Sequence, residues 1–472
     1  MTINKLPIQI IMRIKNRKGI LALAVLSICM PVTAQQVQPQ QLNLPIIQTK
    51  YTADPAPYVH DGVVYLFTTH DEDGAEGFKM RDWLLYTSTD MVNWQDHGAV
   101  ASLRDFKWYE GDNGAWAEQV IERNGKWYMY CPIHGHGIGV LVSDTPYGPY
   151  HDPLGKPLVW QKEHWDDIDP TVWIDDDGQA YMYWGNPNTY YVKLNEDMIS
   201  YQGEIVKLPK IKDYQEGPWL WSRKNAKGEK KFYLAFASTC CPEGIGYAMS
   251  DSPTGPWEYK GHIMDHTVST RGNHPGIIEY KGRSYCFGLN YDIFRLETSR
   301  HAEQRSVSAA EMQYNADGTI QQLPYFLDCT LRQIGTFNPF RHVEAETMAW
   351  GYGLKTTRSN PSGPLNPTLF VTDIDEGEFI MVKGVDFGTG VSSVTVSCAA
   401  HLYGGKIEVR IDAPDGKLTG TIDIPNTRDK FTEYSTKLDG TKGVHDLYFV
   451  FKSRGYQKRN LFNFDWWEMK KN

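Results

Sequence analysis

"IDPTVWIDDDGQAYMYWGNP" runs from Ile168 to Pro187 and sets two short apolar runs on either side of an Asp-Gly turn. Alternating apolar residues around Asx-Gly or Lys-Gly are a β-hairpin signal. The second half of the stretch recurs along the chain. "DGVVYLFTTHD" starts at Asp61, "NGKWYMYCPIH" at Asn124, "DGQAYMYWGNP" at Asp177, "KGEKKFYLAFAS" at Lys227 and "KGRSYCFGLNY" at Lys281. A repeat of this kind, with about four short strands per unit and no convincing helix, predicts a β-propeller. Five copies predict five blades over residues 45–335. Asp175, Asp176 and Asp177 then belong to a solvated hairpin tip, and Asp166 and Asp167 to a loop.

Each hairpin opens on a strand expected to line the central channel: "ADPAPYV" (Ala53–Val59), "AWAEQVI" (Ala115–Ile121), "IDPTVWI" (Ile168–Ile174), "QEGPWLW" (Gln215–Trp221) and "NHPGIIE" (Asn273–Glu279). Aligned on their apolar tails, they place Asp54, Trp116, Asp169, Glu216 and His274 at one register. Equivalent positions converge at one mouth of a propeller. Proline after Asp54 and Asp169, and Gly-Pro after Glu216, stiffen the adjoining backbone. Carboxylates from separate blades suit glycoside hydrolysis. One acid protonates the leaving oxygen, one carboxylate acts on the opposite face, and a third nearby anion raises the acid's pKa.

"ADPAPYVHDGVVYLF", "DIDPTVWIDDDGQAYMYWG" and "QEGPWLWSR" resemble, in that order, the signature segments of glycoside hydrolase family 43, and the likeness runs from Tyr51 to about Arg332. The resemblance implies an inverting β-xylosidase or α-L-arabinofuranosidase acting on xylan or arabinoxylan oligosaccharides. It implies Asp54 as general base, Glu216 as general acid, and Asp169 as the group that raises and orients the acid. Inversion implies a base–acid separation of roughly 6.5–9.5 Å. His274 is expected either to face a calcium ion in the channel or to be hydrogen-bonded without metal. Trp116 is expected to stack on sugar, and Asn186 and Arg295 to contact hydroxyls. Two alternatives remain at this point: a glycan-binding propeller lectin without catalysis, and a retaining enzyme of the sucrose- and fructan-cleaving type. The retaining type places Cys after the acid, where Gly217 stands here.

After "LRQIGTFNPF" the texture changes to short strands separated by Gly and Asp turns, predicting a β-sandwich (jelly roll) over residues 341–472. "VEAETMAWGYG", "GGKIEVRIDAPDGKLTGTIDIP" and "NLFNFDWWEM" resemble family 6 carbohydrate-binding modules. That likeness implies a structural calcium held by Glu344, Glu346 and Asp465. Where such modules place aromatic sugar clamps, this sequence offers Asp373 and Phe431, which favours a packing or weakly binding module.

Net charge is −9 over 472 residues, without a Lys/Arg block beyond the N-terminus, which argues against a nucleic-acid partner. Residues 1–34 read as a signal peptide: a basic "KNRKG", an apolar run from Ile20 to Met30, and "VTA" before Gln35. No later stretch is apolar enough to span a bilayer, so an exported protein, periplasmic or secreted, is expected. Six cysteines follow that segment with no C-x-x-C pair. Adjacent Cys240 and Cys241 read as two thiols at a strand end, in preference to a vicinal disulfide.

Overall fold

A computed structural model describes residues 45–162, 165–267, 273–291, 304–329, 331–360 and 368–472. The expected signal peptide and Arg295 lie outside these residues. The described chain is β throughout, apart from two 3-10 turns, and no helix in it is long and apolar enough to cross a membrane.

Five antiparallel sheets form the propeller, each built outward from an inner strand. The inner strands are Tyr51–His60, Gln119–Arg123, Thr171–Ile174, Tyr214–Lys224 and Gly276–Tyr280, for blades I to V. Each contacts the next, and the fifth contacts the first, which closes the ring. The turn chemistry explains the hairpins. In blades I, II and V both turn residues have positive φ: Asp61 and Gly62 at 47° and 76°, Asn124 and Gly125 at 55° and 76°, Lys281 and Gly282 at 47° and 75°. Such turns match the right-handed strand twist. Blades III and IV use longer tips, closed by Asp175 N–H to Gln179 O and Asn225 N–H to Glu229 O, both at 2.9 Å. Asp175 and Asp176 pair with Lys230 there, as expected of a hairpin tip. Closure uses residues at and just ahead of the inner strand of blade I. Ile46 N–H donates to Val307 O at 2.9 Å and Thr52 N–H to Arg305 O at 3.0 Å, tying this segment to the last strand of blade V and the residue before it.

The C-terminal residues form two facing sheets of six and five strands around Trp467, Phe449, Phe451 and Phe464. This sandwich is docked on blade I. Thr347 and Met348 pair with Gln95 and Trp94 as an extra edge strand. Beside that seam Asp96 is buried and takes Lys50 Nζ at 2.5 Å and Thr356 Oγ1 at 2.6 Å. The Leu369 side chain covers Gly98, where a Cβ would stand 3.0 Å from Leu369 Cδ1.

Candidate active site

Asp54 and Asp169 are buried at the mouth of the ring, 5% and 4% exposed, and Glu216 is half-buried beside them. Local backbone irregularity aims them. Asp54 and Asp169 hold φ of 51° and 56°, a left-handed conformation uncommon for residues with a Cβ and concentrated at functional sites. Strand pairing slips between Ala53 and Ala56, and again on both sides of Glu216. Such bulges redirect a side chain out of the sheet's alternation. Gly217, at φ 59°, passes so close to His274 that a Cβ there would lie 2.9 Å from Nδ1.

Each carboxylate has distinct partners. Asp54 Oδ1 accepts Arg305 Nη1 at 3.0 Å and Oδ2 accepts Thr69 Oγ1 at 2.9 Å. Arg305 is itself locked on buried Asp71, with Nε to Oδ2 and Nη2 to Oδ1 both at 3.0 Å. A bidentate fork of this sort fixes the guanidinium in place. Glu216 Oε2 accepts the Asn186 amide, whose oxygen takes Gln215 Nε2 at 2.9 Å. Asp169 Oδ2 accepts the backbone N–H of Gly217 at 3.1 Å, so it holds the chain directly beside Glu216.

The electrostatics differ accordingly. Burial, with the charge of Asp54 next, pushes the Glu216 carboxyl up to about 7, against the lowering pull of the Asn186 amide. Burial and then the charges of Glu216 and Asp54 push Asp169 well above the usual carboxylate range. Near neutrality a proton therefore resides on the Asp169–Glu216 pair, the two groups sharing it electrostatically. Asp54, fixed by a cation and a hydroxyl, faces them. The two sides of the mouth are thus chemically unlike, as an acid–base pair requires.

His274 sits with Nδ1 3.8 Å from Asp54 Oδ1, and burial lowers its pKa, which favours the neutral ring. Trp116 is half-buried against the propeller core, and His134 stacks on one indole face with ring centres 3.8 Å apart. The exposed plate of that stack is the imidazole. Asn186 bonds Glu216 itself, a contact other than the sugar contact expected from sequence. Asp166 and Asp167 are loop residues but buried, and Asp167 accepts Trp184 Nε1 at 2.8 Å.

Sequence reasoning missed Arg305, Thr69, Asp71 and Glu118. Arg305 precedes an outer strand of blade V and reaches the centre through ring closure, so no inner-strand register marks it. Glu118 lies two residues beyond Trp116, with both carboxylate oxygens buried and without a hydrogen-bond partner among the described residues. The thiol reading of Cys240 and Cys241 is also corrected: they are joined as a disulfide, because the turn brings the two sulfurs to one side.

In the C-terminal sandwich, Glu346 Oε2 and Asp465 Oδ1 are buried without partners. Burial and then the charge of Glu344 raise both carboxyls, Glu346 well above the usual range. An oxygen-only donor set with unsatisfied buried anions fits a calcium ion. The three carboxylates are more widely spaced than the described clusters whose ligand atoms lie within 4.8 Å of one another, so backbone carbonyls or water would have to complete the shell.

The family model described as "Glycosyl hydrolases family 43" matches residues 42–320. The chain belongs to glycoside hydrolase family 43. A second model, "Carbohydrate binding module (family 6)", matches residues 344–471 of this family 43 chain. It is 32% identical to an arabinoxylan arabinofuranohydrolase of Bacillus subtilis, over 90% of this chain and 91% of that protein. It is 33% identical to one of Paenibacillus polymyxa, over 91% and 74%. The crystal structure of a family 43 arabinoxylan arabinofuranohydrolase from Bacillus subtilis, in complex with cellotetraose, superposes with a TM-score of 0.79 at 31% identity, over 91% of this chain and 98% of that one. The five-bladed propeller read from the repeats, followed by the sandwich read from the C-terminal strands, is thus the architecture this chain shares with its family 43 relative. This family 43 chain is a glycoside hydrolase, and neither a sugar-binding lectin nor a retaining enzyme is favoured.

Proposed function

We infer that this enzyme releases α-L-arabinofuranose side chains from a xylan main chain with inversion at the anomeric carbon. The observation that carries the chemistry is the asymmetry at the mouth. Glu216 is raised to about 7 beside a proton-sharing Asp169, while Asp54 opposite is clamped by Arg305. The likeness of both domains together to arabinoxylan arabinofuranohydrolases supports arabinofuranose over xylose.

In the reaction, Asp54 takes a proton from water as the water oxygen bonds the anomeric carbon. The bond from that carbon to the main-chain oxygen breaks, and Glu216 gives its proton to the departing oxygen. Asp169 holds the acid through Gly217 N–H and shares its proton. Thr69 and Arg305 hold the Asp54 carboxylate in place as it takes that proton. Proton exchange with solvent restores a charged Asp54 and a protonated Glu216.

Glu344, Glu346 and Asp465 would hold a calcium ion that stabilises the sandwich and takes no part in bond cleavage. His274 would face water or a cation in the channel. The N-terminal segment and the oxidised Cys240–Cys241 pair both suit an exported protein. Assays on 4-nitrophenyl α-L-arabinofuranoside, 4-nitrophenyl β-D-xyloside and arabinoxylan oligosaccharides test the reading. Arabinose release is expected, with kcat reduced at least ~100-fold in Glu216→Gln and in Asp54→Asn. Undiminished turnover in either variant would refute the assigned roles.

A further inference from the structure

The loop after the second strand of blade IV, Thr239 to Glu243, opens beside the acid. Ala237 pairs with Glu216 and Ser238 with Tyr214 across the hairpin. Thr239 N–H donates to Asp213 O at 3.0 Å, which holds the loop against the start of the acid's own strand. Cys240 and Cys241 are both exposed at its tip and joined to each other. Behind them Glu243 is buried and accepts the backbone N–H of Asn273 at 2.9 Å. Its carboxylate lies within 4.8 Å of both sulfurs, and its charge reaches Asp169. The disulfide therefore lies against Glu243, whose charge reaches the site, and is exposed to solvent.

The direction of the reaction gives this surface a use. Glu216 protonates the leaving oxygen, so the departing main-chain sugar lies on the side of blades III and IV. On blade III, Asn186 is already engaged by Glu216 and Gln215. On blade IV the exposed tip of the loop carries the pair of sulfurs with their Cβ atoms. That surface is polarisable and offers no strong hydrogen-bond donor, which suits the C–H face of a sugar ring.

We propose that the Cys240–Cys241 disulfide is a wall of the leaving-group subsite, packing against the first main-chain sugar beside the released pentose. This rests on the function inferred above. It is the one disulfide among the described residues, and Cys131, Cys286, Cys329 and Cys398 are free, so mild reduction acts on a single bond. The test compares kcat/KM on an arabinoxylan oligosaccharide with that on 4-nitrophenyl α-L-arabinofuranoside, whose leaving group is not a sugar. It uses the native enzyme, the same enzyme reduced with tris(2-carboxyethyl)phosphine and then reoxidised, and the Cys240→Ser/Cys241→Ser double variant. The ratio of the two constants is expected to fall about five-fold or more on reduction and in the variant, through KM on the oligosaccharide, and to return on reoxidation. The alkaline limb of the pH profile should stay in place. An unchanged ratio overturns the proposal. So does a fall accompanied by a moved alkaline limb, which would mean that the pair acts through Glu243 on the acid. A native enzyme inactive on both substrates would instead refute the inferred function and take this subsite with it.

Discussion

Replacing Asn186 with alanine should move the alkaline limb of the pH profile upward. The Asn186 amide donates to Glu216 Oε2, and that bond favours the charged carboxylate. Glu216 must be protonated to act as the acid, so activity is lost as pH rises through its folded value of about 7. Removing a donor that stabilises the anion raises that value further. A hydrogen bond to a charged group contributes about 1.5–3 kcal/mol, and about 1.4 kcal/mol corresponds to one pH unit. Water entering the vacated space recovers part of the bond, so a displacement of about one pH unit is expected. The readout is kcat/KM on an arabinoxylan oligosaccharide across pH, which reports the free enzyme. The maximal rate should fall as well, because the acid loses its orienting partner. A limb that stays in place or moves down would refute the argument that this amide restrains the acid.

Other parts of the site make separate predictions. Arg305→Met leaves Asp54 and Asp71 buried without their cation, a loss of about 3–5 kcal/mol that should lower the propeller's unfolding temperature on the order of 10 °C. Differential scanning calorimetry would show it, and a variant as stable as the parent would contradict the buried pairing. Exhaustive chelation should lower the unfolding temperature of the C-terminal sandwich, with recovery on adding calcium and no recovery in Glu346→Gln. Unchanged unfolding after chelation would remove the ion from Glu344, Glu346 and Asp465. Loss of turnover at an intact unfolding temperature would point to His274 instead.

The meeting of three carboxylates was legible in the sequence because the inner strands repeat, so a shared register predicts a shared mouth. Asp54, Asp169 and Glu216 follow that rule, and the same repeat yielded the five blades. What escaped notice arrives by routes the repeat does not encode. Arg305 enters from an outer strand through the pairing of residues 46–52 with blade V. Thr69 and Asp71 come from the second strand of blade I, where alternation alone does not say which residue faces Asp54. His134 covers a face of Trp116 from the loop beyond its hairpin, a contact set by loop geometry. The Cys240–Cys241 bond depends on backbone shape rather than on residue type, so the sequence alone favoured two thiols. Asp166 and Asp167 look like solvated loop, yet the fold buries them, Asp167 against Trp184.

The stereochemistry of the first product tests the whole arrangement most directly. Proton NMR of α-L-arabinofuranosyl substrate, followed from the first seconds of hydrolysis, should show β-L-arabinofuranose appearing first and the α form growing only as the sugar mutarotates. Initial appearance of the α anomer would mean that a carboxylate had bonded the sugar, and that Asp54 and Glu216 do not flank an attacking water.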